Sequence, residues 1–409
     1  MDFIFYYASP TRIRERALRV ACLVVLLALS HTQALAQDRG QAINPQQPEQ
    51  SLVFGRAAAA RPKPGPQVPH LASEQVKADT KPFLKLTGIT IVGARTLSRE
   101  SLAQAYAGYI GKTVSQADLA QIADNISQVY RDAGYHLSRA IVPVQDIKNG
   151  RIQIQVIEGR ITDIVLKGDQ AAQFGVARIL DPIKFEDPSQ LKTFERRLLL
   201  VNQLPGVRIT DSGLEELGKA TGRFRLTVEV ETWRYSASAA IDNLGSHPVG
   251  LWEGFVTANL NSSFMAGDTL AMLGSTAPNK PDELSYGRVA YDTPLGDNGA
   301  RVGASFWYSS IWPGDDQRQL EMQTDSVAGD LRASFVALQS QKASLRFSAA
   351  IGAGYFTQKD TIGRVYEDNV RTATLVADGT YKDALDGTNL FSFAYKQGLP
   401  ILGATPNYD

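Results

Sequence analysis

Residues 135–160 read YHLSRAIVPVQDIKNGRIQIQVIEGR, and this stretch decides the fold of the chain. A strand-like run is followed by a turn at Asn149-Gly150 and by a second alternating strand that ends at Glu158-Gly159. This pattern predicts a β-hairpin with a short turn. The next residues, ITDIVLKGD, again read as a strand, so a new unit begins with almost no linker.

The same order of elements occurs twice between residues 82 and 231. In the first copy, residues 82–160, a strand precedes two predicted helices and the hairpin closes the unit. The helix over residues 115–137 has an apolar stripe at helical spacing, and Gly134 suits its C-terminal cap. Residues 161–231 repeat the order β-α-α-β-β. A repeat of this size predicts two tandem α+β domains whose short junction limits their relative motion.

The helical period disappears after the second copy. Residues 232–409 hold about nine short alternating segments separated by turn-rich pieces. In the segment at 345–355, Leu345, Phe347 and Ile351 alternate with small or polar residues. Apolar residues on one face and small polar residues on the other predict the N-terminal part of an antiparallel transmembrane β-barrel. A soluble β-domain also alternates, and it is the alternative.

The first 81 residues carry no predicted domain. Residues 1–36 have the form of an export signal, with four arginines before the apolar run 20–29, which is too short to span a membrane. Small residues at positions 34 and 36 predict cleavage before Gln37, and an uncleaved anchor is the alternative. Residues 37–81 are rich in proline and alanine and are interpreted as a linker.

The composition excludes several classes of function. The net charge is zero and 21% of residues are charged, so nothing favours a nucleic-acid partner. Cys22 is the only cysteine, and no two of the four histidines have metal-ligand spacing. The sequence therefore predicts no metal site and no cofactor, and it contains no motif of a catalytic nucleophile. We expect a protein that is not an enzyme.

The first repeat resembles a polypeptide-transport-associated (POTRA) domain, and its hairpin resembles the hallmark run of two-partner secretion transporters, the hemolysin/hemagglutinin secretion family. The residues that carry the resemblance are Gly134-Tyr135, Ser138-Arg139-Ala140, Pro143, Gln145-Asp146, Gly150 and Glu158-Gly159. The resemblance implies two POTRA domains in the periplasm and an outer-membrane barrel of about sixteen strands. It also implies export of one large secreted β-helical partner, such as an adhesin, a hemolysin or a toxin.

The same resemblance indicates a partner-binding site on the first POTRA domain. An extended segment of the partner would pair with the open edge of the hairpin, beside the apolar stripe of the 115–137 helix. The residues expected there are Tyr135, Ser138, Arg139, Ala140, Ile141, Val142, Pro143, Gln145 and Asp146. Glu158, Gly159 and Arg160 are expected at the domain junction. The alternative is that Arg139, Asp146 and Glu158 only hold the hairpin and the junction together.

Other functions and a shortened chain stay open at this point. An assembly factor of the same superfamily also has POTRA domains, and a nonspecific porin would have no use for them. The family's Val-Arg-Gly-aromatic motif and terminal aromatic are not found in the sequence. Nine strands do not close a barrel of the expected kind. We therefore expect a fragment or a natural truncation. The resemblance also implies contacts of the barrel with outer-membrane lipid and with the barrel assembly machinery.

Overall fold

The computed structural model describes residues 79–405 except 148, 244, 246, 248, 315–317, 320 and 362, together with residues 4, 5, 66 and 69. The predicted export signal and the linker therefore lie almost entirely outside the described residues. No helix in the described part is long and apolar enough to cross a membrane.

The first domain has the predicted order of elements. Its strands and helices are β2 (Leu84–Lys85), β3 (Gly88–Val92), α1 (Arg99–Ala103), a 3-10 turn (Ala107–Tyr109), β4 (Thr113–Val114), α2 (Gln116–Asp132), β5 (Arg139–Ile141) and β6 (Arg151–Ile157). The sheet order is β3-β6-β5, so the last strand lies in the centre. β3 is parallel to β6, and β5 is antiparallel to it.

Helix α2 is the main cover of this sheet. It begins at a capping box in which Ser115 and Asp118 each bond the other's backbone N–H, which satisfies two donors of the first turn. Its stripe, which includes Ile122, Ile126 and Tyr130, is fully buried against the sheet. Burial of this stripe removes apolar surface from water, which stabilises the domain.

The second domain repeats the same topology. Its elements are β7 (Arg160–Lys167), α3 (Val176–Leu180), a 3-10 turn (Asp181–Phe185), α4 (Leu191–Asn202), β8 (Val207–Glu216) and β9 (Arg223–Thr232). The sheet order is β7-β9-β8, again with the last strand in the centre. The first helix of each repeat is shorter than predicted. In the second repeat α3 ends at Leu180 and the chain continues directly as the 3-10 turn, whose first turn holds Pro182, where the missing N–H of proline is tolerated.

A large antiparallel sheet follows. Its strands are β10 (Tyr235–Asp242), β11 (Glu253–Asn261), β12 (Thr269–Thr276), β13 (Leu284–Leu295), β14 (Ala300–Ile311), β15 (Gln323–Gln339), β16 (Ala343–Asp360), β17 (Gly363–Lys382) and β18 (Thr388–Gly398). Each strand pairs with the next along the chain, and a short strand β1 (Ile4–Phe5) pairs with β18. Among the described residues β10 and β18 do not pair, so the sheet is open.

The register confirms the predicted separation of the two faces. Ser238 pairs with Thr257 across β10 and β11, and their hydroxyl groups are 2.7 Å apart on the polar face. On the other face Val256 and Ile351 are about three-fifths exposed. An exposed apolar face opposite a hydrogen-bonded polar face is typical of a barrel wall between lipid and an aqueous lumen.

Candidate functional site

The first strand of the hairpin is shorter than predicted. β5 ends at Ile141, and the register on β6 would next place Pro143 opposite Gln153. Proline has no backbone N–H and does not complete the hydrogen-bonded pair that an antiparallel ladder needs there. The carboxamide of Gln145 takes that place. Its Nε2 donates to the Gln153 carbonyl at 2.8 Å, and its Oε1 accepts from the Gln153 N–H at 2.6 Å.

The outward edge of β5 is also occupied. The Ala140 N–H donates to Ser127 Oγ at 2.8 Å, and this hydroxyl donates to the Ala123 carbonyl in α2. Ser127 thus ties the helix to the strand. Stripe residues such as Ile122 and Ile126 form the core of the domain, and partner binding between this helix and β5 stays a prediction. Burial against the sheet keeps their apolar surface from water.

The other hairpin residues divide between internal contacts and exposed positions. Arg139 forms an ion pair with Glu216 of the second domain, with Nη2 and Oε2 2.7 Å apart. The ring of Tyr135 packs edge-on against Tyr130, with ring centroids 6.2 Å apart. Asp146 is exposed. Partner binding by these residues stays a prediction, and the ion pair favours a role for Arg139 at the junction.

Val142 and Pro143 complete the hairpin residues named from the sequence. Both are half-buried, and Val142 packs against the core of the first domain. Val144 between Pro143 and Gln145 is fully exposed. The loop therefore presents one apolar side chain to solvent and holds its neighbours inward.

Glu158 is the buried acceptor at the domain junction. Its side chain is 1% exposed. Oε1 accepts from the backbone N–H groups of Arg95 and Thr96 at 2.8 Å each and from the Tyr130 hydroxyl at 2.9 Å. Burial would raise the pKa of Glu158, but these hydrogen bonds outweigh burial and lower the pKa. Burial, followed by the bond to Glu158, raises the pKa of Tyr130.

Asp187 links the two domains by a second set of charges. Its carboxylate bonds Arg95 Nη2 at 3.1 Å and Arg160 Nη1 at 3.0 Å. Gly159 lies between the domains at a close approach, where an added Cβ would be 2.2 Å from the Leu137 carbonyl oxygen. A side chain does not fit at this position without a backbone shift, so the structure requires glycine here.

The backbone of Gly159 is held from both sides. Its N–H donates to Ser138 Oγ at 3.1 Å, and its carbonyl accepts from the Ser189 N–H at 3.0 Å. Ser189 Oγ in turn accepts from the Ile161 N–H at 3.1 Å. These bonds pass from the first domain to the second without a free linker, which favours a stiff junction.

Strand β8 is an edge strand of the second domain's sheet, and it has ten residues, Val207–Glu216. It pairs with β9 on one side and is at the edge of the sheet on the other. At its start, Gly206 accepts a hydrogen bond from the Trp233 N–H just before β10. At its end, Glu216 forms the ion pair with Arg139. The edge of β8 therefore extends from the domain junction to the base of the large sheet.

Helix α4 of the second domain rests on the turns of the large sheet. Arg197 Nη1 donates to the carbonyl oxygen of Asp297 at 2.8 Å and to its carboxylate at 3.0 Å. Arg196 Nη2 donates to the Val336 carbonyl at 2.6 Å. Val336 belongs to the same buried cluster as the core of the second domain. The domain and the sheet thus share packed surface.

On the polar face of the sheet, an ion pair crosses a strand. Arg332 on β15 reaches Asp292 on β13, with contacts of 3.0 Å from Nε and 2.5 Å from Nη2. The residue between them on β14 is Gly303. An added Cβ there would lie 2.3 Å from Asp292 Oδ1. The missing side chain leaves the space through which the guanidinium passes.

Known proteins share both the sequence and the fold of this chain. Residues 84–159 match the family model of the ShlB-type POTRA domain. The heme/hemopexin transporter protein HuxB of Haemophilus influenzae is 26% identical over 332 residues, or 78% of this chain and 57% of HuxB. The outer membrane transporter CdiB of Dickeya dadantii is 23% identical over 187 residues, or 45% of this chain and 33% of CdiB.

A solved structure of CdiB from Escherichia coli has the same fold. It superposes with a TM-score of 0.64 at 18% identity and covers 91% of this chain and 70% of CdiB. The chain is similar in sequence to these two-partner secretion transporters of the outer membrane, and similar in fold to CdiB. These relatives are transporters, in agreement with the expectation that the chain is not an enzyme. The chain spans about half the length of HuxB.

Several residues of the domain junction and of the large sheet are not evident from sequence patterns. Arg95 and Asp187 lie 92 positions apart and meet only because the two domains pack together. Ser127 is a polar residue inside the apolar stripe of α2, and this was the one available signal that the helix bonds a neighbouring strand. Gly303 in a strand gave a weaker signal, because glycine within a strand often marks a close approach.

Proposed function

We propose that the chain captures one large secreted partner protein with its two POTRA domains and exports it through its β-barrel. The observation that carries this proposal is the continuity of the molecule. Two tandem domains, each with a three-stranded sheet, are attached through α4 to the base of a sheet that has one polar and one apolar face. This arrangement places polypeptide-binding edges next to a membrane wall.

The chain lies in the outer membrane, and its POTRA domains lie in the periplasm. The apolar face of the large sheet then contacts lipid, and the polar face lines the lumen. Ser238, Thr257 and the Arg332–Asp292 pair give that lumen side chains that bond each other. Polar side chains that bond each other in this way offer a moving polypeptide few strong binding points, which suits transport.

The partner is a large β-helical protein of the adhesin, hemolysin or toxin class. HuxB is named for heme/hemopexin transport, and the partner of this chain is a matter for experiment. An unfolded partner presents extended backbone, and the exposed edge of a sheet binds extended backbone by strand addition. We include the hairpin in this capture surface through the groups that it leaves accessible, Val144 and Asp146.

An in-frame deletion of residues 83–231 in the native host tests this function. The secreted proteins and the outer-membrane proteins of the deletion strain are compared by mass spectrometry with those of the wild type and of a complemented strain. We expect one large protein to disappear from the medium and to return on complementation. A general loss of outer-membrane proteins would instead indicate an assembly factor, and unchanged profiles would refute both functions.

A further inference from the structure

The lumen face of the large sheet carries three neighbouring aromatic rings at the end far from the POTRA domains. The turn at Asp297 contacts α4, so the opposite ends of these strands lie on the outer side of the membrane. The rings lie near those ends, on the face that carries Thr257. The ring centroids of Tyr286 and Trp307 are 5.9 Å apart, and those of Trp307 and Phe356 are 6.1 Å apart. We call these three residues the aromatic row.

A short segment between β10 and β11 covers the aromatic row. Val249 is 1% exposed and belongs to one buried cluster with Tyr286 and Trp307. Gly250 fits closely against the next loop, because an added Cβ would lie 2.6 Å from the Cβ of Ala277. We call residues 249–253 the latch. The latch thus places a branched aliphatic side chain on the aromatic row at the outer end of the lumen.

The closed latch leaves polar groups without partners. Glu253 is fully buried, and neither of its carboxyl oxygens has a hydrogen-bond partner among the described residues. The buried hydroxyl groups of Tyr286 and Ser309 also lack one within the described part of the chain. A buried polar group that gains no hydrogen bond is unfavourable, and a buried carboxyl is so in either protonation state. These groups therefore favour opening of the latch, whereas the apolar contact of Val249 favours closure.

A cavity adjoins the covered rings. Its volume is about 150 Å³, and it is lined by Trp307 and Phe356, by Gly352 and Gly354, and by polar groups such as Lys396. A cavity of this size accommodates a group as large as a benzene ring. The aromatic row and the cavity together suit an apolar or aromatic side chain of a polypeptide in the lumen.

We propose that the aromatic row binds apolar side chains of the exported polypeptide, and that the latch covers this row until such a segment displaces Val249. The proposal rests on the proposed function for its occupant, an unfolded segment of the secreted partner. Val249 itself indicates the chemistry that fits, since an aliphatic side chain already packs on the rings. Leu251 and Trp252 are exposed while the latch is closed, so opening buries no further apolar surface of theirs.

Thiol labelling of whole cells from outside tests the latch. Ser309→Cys places a thiol opposite Tyr286 in Cys22→Ser protein, whose sequence then has no other cysteine. Val249→Asp puts a charge against the rings and should raise the rate of labelling by a membrane-impermeant maleimide at least about tenfold. Val249→Leu is the matched control and should change the rate less than about twofold. Glu253→Leu removes the unpartnered carboxyl and should lower the rate about threefold.

A photo-crosslink identifies the occupant. The photoreactive residue p-benzoylphenylalanine replaces Phe356 in one strain and Ile351 in another. Ile351 lies on the same strand with its side chain exposed on the opposite face, so it is the matched control. The readout is an adduct with the protein that disappears from the medium in the deletion strain. We expect at least about tenfold more of this adduct at position 356 than at position 351, because successive side chains of a strand face opposite sides.

Each arm can overturn one part of the proposal. Labelling rates are expressed relative to Trp252→Cys, an exposed position that reports the amount of protein at the surface. A relative rate that does not respond to Val249→Asp overturns the latch, and Glu253→Leu gives the same test in the opposite direction if the aspartate variant is not assembled. Equal adducts at positions 356 and 351, or none at 356, overturn binding at the aromatic row. A deletion strain that loses no secreted protein would remove the proposed function and the occupant, whereas the labelling needs no partner and decides the latch by itself.

Discussion

Glu158 carries more of the junction than any other single side chain. One buried carboxylate accepts from two backbone N–H groups and from the Tyr130 hydroxyl. It also accepts from Arg95, whose other nitrogen binds Asp187 in the second domain. The Glu-Gly pair of the hairpin is therefore a structural element, which favours the alternative interpretation of Glu158 reached from the sequence.

Replacement of Glu158 should destabilise the first domain. Glu158→Ala leaves three buried donors without an acceptor, and we expect the free energy of unfolding to fall by about 3 kcal/mol. Glu158→Gln keeps an acceptor and should cost about 1 kcal/mol. Hydrogen exchange of the Arg95 and Thr96 amides in the full-length protein measures the effect. The exposed Glu229→Gln is the control, and equal exchange in all variants would contradict the assignment.

Gly303 makes a second residue-scale prediction. Gly303→Ala places a Cβ 2.3 Å from Asp292 Oδ1 and 2.5 Å from the Tyr291 carbonyl oxygen, so the Arg332–Asp292 pair must separate. We expect a loss of about 3 kcal/mol, because a part-buried charge pair is broken and each charge loses its partner. The yield of folded protein in outer membranes measures it. Gly287→Ala is the control, since an added Cβ there meets nothing within 4 Å; equal yields would refute this role.

At the scale of elements, α4 holds the second POTRA domain to the large sheet. Arg197 binds Asp297 through both its carbonyl and its carboxylate, and Arg196 binds the Val336 carbonyl. Arg196 is partly buried, which lowers its pKa through desolvation. Burying a guanidinium is unfavourable unless its donors are bonded, so these contacts depend on a close fit between helix and turns.

Charge reversal at this contact gives an element-scale prediction. Arg197→Glu should raise the rate of hydrogen exchange in turn 295–300 about tenfold, through loss of a charge-assisted hydrogen bond. Asp297→Arg added to Arg197→Glu should restore part of the protection, because the ion pair forms again with the two charges exchanged. Arg208→Glu, on an exposed part of β8, is the control. An unchanged turn in Arg197→Glu would show that the contact does not hold the helix.

Elements with a strong local period were predictable, and contacts that depend on packing were not. The stripe of α2, the doubled β-α-α-β-β order and the nine alternating strands all follow from spacing along the chain. The end of β5 at Ile141 depends on which residue faces Pro143, and the register of β6 decides that. The closed edge at Ser127 likewise depends on how a helix lies on a strand.

At the scale of the whole molecule, consecutive units are joined at two packed interfaces. The Glu158–Asp187 network joins the POTRA domains, and α4 joins the second domain to the sheet. Between these two contacts, most residues belong to strands or helices. A pull on a captured segment would therefore reach the barrel wall through packed elements.

The stability of the Glu158 contacts at the domain junction should fall at low pH. Hydrogen bonds lower the pKa of Glu158 in the folded protein, so its contribution to stability is fully present above the unfolded value of about 4.3. It is lost as the pH falls through the lower folded pKa. We expect protection of the Arg95 and Thr96 amides to be constant above about pH 5 and to fall below about pH 4. Glu158→Gln should lack this step, and an identical step in that variant would contradict the cause.

At the end of β5 the Gln145 side chain bonds the backbone of Gln153 in place of a neighbouring strand. This limits how the sequence can change. Pro143 stops the ladder, and Gln145 supplies the two hydrogen bonds that the stop leaves missing. The two positions therefore solve one problem jointly. A homologue with a strand-forming residue at position 143 could extend β5 and would not need glutamine at position 145. A homologue that lost only the glutamine would leave the backbone N–H and carbonyl of residue 153 without these partners.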